Sequence, residues 1–462
     1  MATIIPHIFR EYDIRGLHET ELVPEAVRLI GKALGTELRR RGATSLCVGH
    51  DVRPSSPRLT RDLVEGLLST GITLYDVGEV PTPGLSFAVL HLNAGGGVQV
   101  TGSHNPVEFN GFKMSHGIAP IYGDEIQHLR QLIEANDFET GTGKIVERRV
   151  LDAYVADIEA RTKAVRPLKV VVDAGNGGAS EIGPKVLRDI GCEVVPLYCE
   201  IDGTFPNHLP DPTVMAYLRD LIAKVKEIGA DLGIGYDGDA DRIGAIDNLG
   251  RVVPGDRLLA IFARDVLTRI PGAPIIFDVK CSQALPEDIS AHGGKPIMWK
   301  TGHSLIKAKM KETDAPIAGE MSGHIFFAEG FHGYDDAIYA SARLVSIISR
   351  GHKSLAELSD SIPRYVSTPE LRVETTDEDK FRIVGEIVDY FKGQYQVIDI
   401  DGARVLFGDG WGLVRASNTQ PVLVMRFEAR TEARLKEIAE TVLAKVRTYP
   451  SVKLGGLEIK PI

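Results

Sequence analysis

The chain has 462 residues, 43% of them hydrophobic and 25% charged; that length calls for about three or four domains and the composition excludes a disordered chain. A formal net charge of -10 excludes a general nucleic-acid binder, whose affinity comes from a basic surface releasing counterions, and leaves room for a local basic pocket. Apolar stretches such as 258–262 stop far short of the roughly 20 residues of a membrane helix, and Arg10, Glu11, Asp13 and Arg15 interrupt any signal-peptide core, so a cytoplasmic protein without a membrane partner is expected.

In chain order, the spacing of apolar residues predicts a helix over 24–41, a buried strand over 45–51, a helix over 60–69 and a strand over 97–100. Further strands follow over 169–175 and 274–280, with strand, turn and strand over 243–253 and a helix over 256–268. Repeated strand-helix alternation means an α/β fold with mainly parallel sheet. The strands of 45–51, 169–175 and 274–280 each end in an aspartate, where open α/β sheets place their chemistry. They recur at about the size of one small domain, which suggests three similar mixed α/β domains. After 363 the pattern changes to strands over 370–374, 395–400, 411–415 and 422–426 with helices near 377–391 and 431–446, a C-terminal α+β domain. The expected division is 1–148, 149–252, 253–365 and 366–462. Cys47, Cys192, Cys199 and Cys281 form no C-x-x-C pair and are expected as buried reduced thiols.

Two motifs carry chemistry. In Asp237-Gly238-Asp239-Ala240-Asp241-Arg242, carboxylates at i, i+2 and i+4 fall on one side of an extended backbone and converge on one hard divalent cation, which suits Mg²⁺. A calcium EF-hand loop is excluded, because its required Gly and Glu positions hold Arg242 and Asn248. Gly233, Gly235 and Gly238 match the dinucleotide fingerprint by spacing, but strand, turn and strand follow where that fingerprint opens a helix. Thr101-Gly102-Ser103-His104-Asn105-Pro106 follows a strand, so Ser103 is expected to be held exposed as a nucleophile or phosphate carrier; a plain polar turn is the competing reading. No G-x-S-x-G elbow surrounds it, which disfavours acyl transfer. A phosphoserine brings about two negative charges, and a divalent ion is the natural partner for that group.

With these motifs in hand, the sequence resembles the α-D-phosphohexomutases, in particular their bacterial phosphomannomutase/phosphoglucomutase branch. Further matches are Glu11-Tyr12-Asp13-Ile14-Arg15-Gly16, Asn110-Gly111-Phe112-Lys113, Lys300-Thr301-Gly302-His303-Ser304, Gly319-Glu320-Met321-Ser322-Gly323-His324 and Arg415-Ala416-Ser417-Asn418-Thr419-Gln420-Pro421. The resemblance covers essentially the whole chain and implies four domains around a central cleft. It implies that Ser103 is a phosphoserine sharing Mg²⁺ with Asp237, Asp239 and Asp241. By the same resemblance Glu320 and Ser322 read sugar hydroxyls, and Arg415, Ser417, Asn418 and Thr419 form a phosphate-binding loop. Tyr12, Arg15, His104, Lys113, Arg242, Lys280, His303 and His324 line the cleft. Lys113, His324 and Arg15, in that order, are the candidates for proton transfer.

The implied activity is reversible movement of phosphate between C1 and C6 of mannose and glucose phosphates through a hexose 1,6-bisphosphate. Glucose 1,6-bisphosphate, or its mannose counterpart, is then the activator and intermediate. Dual activity is expected if Glu320 and Ser322 read O3 and O4 and not C2. A phosphoglucosamine mutase is the alternative substrate choice, although that group usually has Gln where this chain has Met321. A metal-dependent sugar phosphatase and a non-catalytic sugar-phosphate sensor are the rivals in chemistry. A nucleotide site at Gly141-Thr142-Gly143-Lys144 is excluded because Phe138 and Ile145 stand where a Walker loop needs Gly and Ser or Thr. Small hexose phosphates are the expected partners, and the chain is expected as a monomer or weak homodimer.

Overall fold

The computed structural model describes residues 4–418, 420–455 and 457–461. Its strands form four separate sheets. In the first, Ile14–Leu17, Phe109–His116, Gly96–Val100, Ser45–His50, Thr73–Glu79 and Lys144–Glu147 lie side by side in that order. The pairs from Gly96–Val100 to Lys144–Glu147 are parallel and those involving Phe109–His116 are antiparallel. The second sheet runs Val252–Val253, Ile243–Asp247, Leu232–Tyr236, Lys169–Asp173, Glu193–Leu197, and the third runs Lys295–Trp299, Pro274–Asp278, Ile317–Gly319, Ile325–Phe327. Both keep a parallel centre and end in antiparallel hairpins. The sheets are therefore mixed, where strand-helix alternation alone predicts mainly parallel pairing; the hairpins return the chain without a crossover helix.

The fourth sheet, from Val366–Ser367 through Val422–Ala429, Gly410–Ala416 and Ala403–Leu406 to Gln396–Ile398, is antiparallel throughout, with helices Asp377–Lys392 and Glu432–Val446 on it. Its strand Ala403–Leu406 escapes prediction because Arg404, which interrupts the apolar pattern, is fully buried.

One continuous hydrophobic core runs through the second and third sheets and takes in Val77 of the first, with Val80 after that strand and Phe87 from the helix Thr82–His91. The C-terminal sheet has a core of its own and meets the third sheet through a small apolar cluster of Val279, Trp411 and Leu413. Three cysteines are buried, whereas Cys199 is half-buried, against the expectation for all four. Among the described residues no helix is long and apolar enough to cross a membrane.

Helix Ala337–Arg350 crosses this shared core and is buried along most of its length. Its N-cap is Asp336, which accepts from Tyr339 N at 2.8 Å and from the Tyr154 hydroxyl at 2.8 Å. Burial pushes its carboxyl from 3.8 up to about 7. Between those two values the folded chain keeps a proton that the unfolded chain has lost, so this group makes stability fall as pH rises from about 4 to about 7. Asp336→Asn keeps the cap acceptor and removes the titration; its thermal midpoint is expected to decline less than the parent's across that window, as scanning calorimetry at stepped pH would show.

Candidate active site

The serine loop begins where the strand Gly96–Val100 ends, beside Asp51 at the end of Ser45–His50. Asp51 accepts from Thr101 Oγ1 at 2.7 Å, Gly102 N at 3.1 Å and Arg53 N at 3.0 Å. One carboxylate thus folds the loop over the sheet edge, and Thr101 Oγ1 accepts from Ser103 N at 2.8 Å. Ser103 stands in the left-handed region at φ 51° and is 2% exposed. It is buried, contrary to the exposed nucleophile expected, because the second unit closes over the loop: a Cβ on Gly238 would come within 2.4 Å of the Ser103 carbonyl oxygen. Its hydroxyl lies 3.1 Å from His104 Nδ1 and donates to Asp237 Oδ2 at 3.3 Å.

The aspartate motif does not run extended, as alternation along a strand predicts. It turns, with Ala240 at φ 62° and Asp237 Oδ1 accepting from Asp241 N at 3.0 Å and Arg242 N at 3.1 Å. The turn brings one carboxylate oxygen each from Asp237, Asp239 and Asp241 within 4.8 Å of one another, all three residues being buried. Its backbone is held from three units: Thr82 N donates to Asp239 O at 2.9 Å, Gly178 N to Gly238 O at 2.9 Å and Ala337 N to Ala240 O at 3.2 Å.

Lys113 Nζ, arriving from the strand Phe109–His116, donates to Asp239 Oδ2 at 2.7 Å and Asp241 Oδ2 at 2.5 Å. Burial and the neighbouring Asp241 and Asp239 push Asp237 well above the usual carboxylate range. Against the upward pull of burial, Lys113 holds Asp241 below it, and against desolvation the three aspartates raise Lys113. Asp239 Oδ1 and Asp241 Oδ1 are buried with no hydrogen-bond partner among the described residues. Three convergent carboxylates, two of which each keep one oxygen without a hydrogen-bond partner among the described residues, fit a hard divalent cation.

Cations and donors gather around this centre. Arg242 Nε donates to His324 Nε2 at 3.0 Å, and His324 Nδ1 lies 3.2 Å from Asp335 Oδ2 and 3.6 Å from Asp241 Oδ1. His303 stacks on His324 with ring centroids 5.5 Å apart. Burial, with Arg242, Arg15 and Lys113 nearby, keeps His104 neutral well below its usual pKa. Arg15 pairs with Asp13 and keeps a buried Nε without a partner among the described residues.

The third unit supplies Glu320, 2% exposed, so a surface charge is excluded. Its Oε1 accepts from Gly302 N at 2.7 Å, and burial raises its pKa. Asp278 folds this side as Asp51 folds the serine loop, accepting from Thr301 Oγ1 at 3.1 Å and Met321 N at 3.0 Å. Ser322, half-buried, lies in the same turn two residues before His324. Lys280 Nζ donates to Glu370 Oε2 at 3.1 Å; this ammonium is what holds the Glu370 carboxyl at about 2.

In the C-terminal unit Arg415 is buried and its Nε donates to Asp401 Oδ2 at 3.1 Å. Ser417 is buried beside it and Asn418 Nδ2 donates to the Tyr12 hydroxyl, so the first and last units meet across the cleft. Tyr12 itself donates to Thr301 O at 2.7 Å. Thr419 lies outside the described residues. Sequence reasoning missed Asp51, Arg53, Thr82, Asp335 and Asp401. Only Asp51 carried a signal, as an aspartate ending a buried strand; the others serve through tertiary contacts that no local pattern shows.

Comparison with known proteins bears on this geometry. Phosphoglucomutase/phosphomannomutase alpha/beta/alpha domains I, II and III match residues 6–140, 152–250 and 254–365, and the C-terminal domain of the same family matches 370–445. The phosphomannomutase/phosphoglucomutase of Pseudomonas aeruginosa PAO1 is 48% identical over 437 residues, 94% of each chain. The phosphoglucomutase of Neisseria meningitidis serogroup A is 43% identical over 457 residues, 98% of this chain and 99% of the other. The crystal structure of a phosphoglucomutase/phosphomannomutase family protein from Burkholderia thailandensis superposes with a TM-score of 0.90 at 43% identity, covering 96% of this chain and 98% of that one.

A divalent ion held by the triad of the folded chain would stabilise it. With magnesium at about a hundredfold excess over its dissociation constant the gain is about 2.7 kcal/mol. The thermal midpoint should rise measurably on adding magnesium, and Asp239→Asn should lose most of that rise.

Proposed function

This chain belongs to the phosphoglucomutase/phosphomannomutase family, the α-D-phosphohexomutases, and we propose that Ser103, as a phosphoserine, carries its reaction. The enzyme is an isomerase that moves phosphate reversibly between C1 and C6 of mannose and glucose phosphates. The observation that carries the reading of Ser103 is its buried hydroxyl 3.3 Å from Asp237 in a three-aspartate turn. A hydroxyl held there, beside a cation site and away from bulk water, suits phosphoryl transfer and disfavours loss of the phosphoryl to water.

Asp237, Asp239 and Asp241 would hold Mg²⁺ with a phosphoserine oxygen, and the ion, when bound, neutralises charge on the transferring phosphoryl group. Phospho-Ser103 gives its phosphoryl to the free hydroxyl of a hexose monophosphate: the Oγ–P bond breaks, the sugar O–P bond forms and the hydroxyl proton passes to a base. The product is the hexose 1,6-bisphosphate, with glucose 1,6-bisphosphate or its mannose counterpart as activator. Turned end for end, it returns its other phosphoryl to Ser103.

Lys113 is held as an ammonium by Asp239 and Asp241, which makes it a charge stabiliser. His324 beside it is the candidate for the sugar proton, with Nε2 accepting from Arg242 Nε and Nδ1 facing Asp335. Arg15 presents its guanidinium to the phosphoryl oxygens. Arg242, His104 and His303 line the same side. Glu320 and Ser322 take ring hydroxyls, while Lys280, Tyr12, Arg415, Ser417, Asn418 and Thr419 hold the far phosphate end. The division into units over 1–148, 149–252, 253–365 and 366–462 belongs to this proposal. So does a cytoplasmic monomer or weak homodimer without nucleic-acid or membrane partners.

Incubation with glucose 1,6-bisphosphate should add the mass of one phosphoryl group to the intact protein and none to Ser103→Ala, which should also lose conversion of glucose 1-phosphate to glucose 6-phosphate. Phosphate release that outpaces isomerisation would refute mutase chemistry.

Arg415→Ala removes a guanidinium placed for a dianion. At about 1.5–3 kcal/mol for hydrogen bonds to a charged group, KM for glucose 1-phosphate should rise about 10- to 100-fold in the coupled assay.

A further inference from the structure

Arg53 lies between the strand Ser45–His50 and the helix Ser56–Leu68 and is 1% exposed. Its guanidinium donates to the carbonyl oxygens of Ser103 at 2.8 Å, Asn105 at 2.5 Å, Pro106 at 2.8 Å and Phe109 at 3.2 Å. Its Nε lies 3.3 Å from Asp51 Oδ2. One planar fork thus gathers three carbonyls of the serine loop and that of Phe109, the first residue of the next strand, a task an ammonium cannot repeat. So close is the packing that a Cβ on Gly102 would come within 2.5 Å of Arg53 Cζ.

The far side of the clamp comes from the second unit. The Phe205 ring packs against the guanidinium with its centroid 5.0 Å from Arg53 Cζ. Gly203, from the same loop, lies so near that a Cβ there would come within 2.1 Å of Val52 O. Ser103 is left-handed, a conformation that non-glycine residues adopt only when their surroundings impose it. Its carbonyl is gripped between Arg53 and the Gly238 backbone and its N–H is tied to Thr101. The backbone is fixed on both sides, so the Cα–Cβ bond is fixed as well, and from it Oγ reaches Asp237 Oδ2 at 3.3 Å.

We propose that Arg53, braced by Phe205, is the positioning residue that aims the Ser103 oxygen at the cation site. Arg53 acts through the loop backbone and sets the rate of transfer, not the grip on sugar. The inference rests on the reading of Ser103 as the phosphoryl carrier.

Arg53→Lys keeps the charge and loses the fork. Phosphorylated by glucose 1,6-bisphosphate and quantified by intact mass, it should show KM for glucose 1-phosphate within about twofold of the parent. Its kcat per phosphorylated enzyme should fall about 10²-fold, the scale of a misplacement near 1 Å. The ³¹P resonance of its phosphoserine should shift from the parent's. Phe205→Leu, which keeps bulk but removes the ring face, should lower kcat about tenfold with the same unchanged KM. A purely structural role would lower the thermal midpoint and the phosphorylated fraction and leave kcat per phosphorylated enzyme alone. That result, or a raised KM at unchanged kcat, overturns the proposal. If Arg53→Lys does not fold, Phe205→Leu decides by the same two readouts. A parent protein without mutase turnover would instead refute the functional reading itself.

Discussion

Three carboxylates confined to one buried turn are the constraint around which the rest of the molecule is arranged. Like charges so close and so dry cost several kcal/mol each unless cations answer them. Lys113 answers from the first unit, while Arg242 lies 3.9 Å from Asp237 and His324 lies 3.6 Å from Asp241. Backbone donors from Thr82, Gly178 and Ala337 fix the turn from all three α/β units. The turn is therefore the junction where three sheets meet, and the shared hydrophobic core explains why they meet there in a fixed relation. A centre assembled this way is rigid before any ligand arrives, the condition under which fixed charges stabilise a transferring phosphoryl group most.

The three strand-end aspartates are loop organisers. Asp51 folds the serine loop, Asp278 folds the turn that carries Glu320, and Asp173 takes Gly175 N and His208 Nε2. His208 belongs to the segment that also bears Phe205, so Asp173 steadies the loop that reaches back to Arg53. Each sheet thus uses one buried carboxylate at the same place to shape the loop beyond it, and chemistry stays with the residues those loops present.

That economy explains what was legible from the residues alone. Strands ending in aspartate, the serine loop and the Asp237 turn are local patterns, and the α/β units with their α+β tail follow from periodicity. What local patterns did not show was burial and direction. Ser103 sits in a loop that reads as exposed because the covering backbone, Gly238, lies 135 residues further on. The aspartates read as an extended row because the left-handed Ala240 that turns them has no sequence signature of its own. Arg53 carries no local signal, and only the folded loop reveals four carbonyls converging on it.

The C-terminal unit stands apart in kind as well as in position. It keeps its own core and is joined to the other units by the small apolar cluster of Val279, Trp411 and Leu413 and by polar contacts: Asn418 to Tyr12, Glu370 to Lys280, and Arg404 to the carbonyls of Val279 and Cys281. Parting it from them exposes one small apolar cluster and polar groups that water can take over at modest net cost, whereas parting the other three units opens one continuous core. On the proposed reaction a bisphosphate must present each end in turn to the same serine, and a rigid transfer centre cannot itself move to meet it. The part free to loosen must then be the part that holds the far phosphate, and Arg415 and Ser417 lie in the unit whose attachment is cheapest to break.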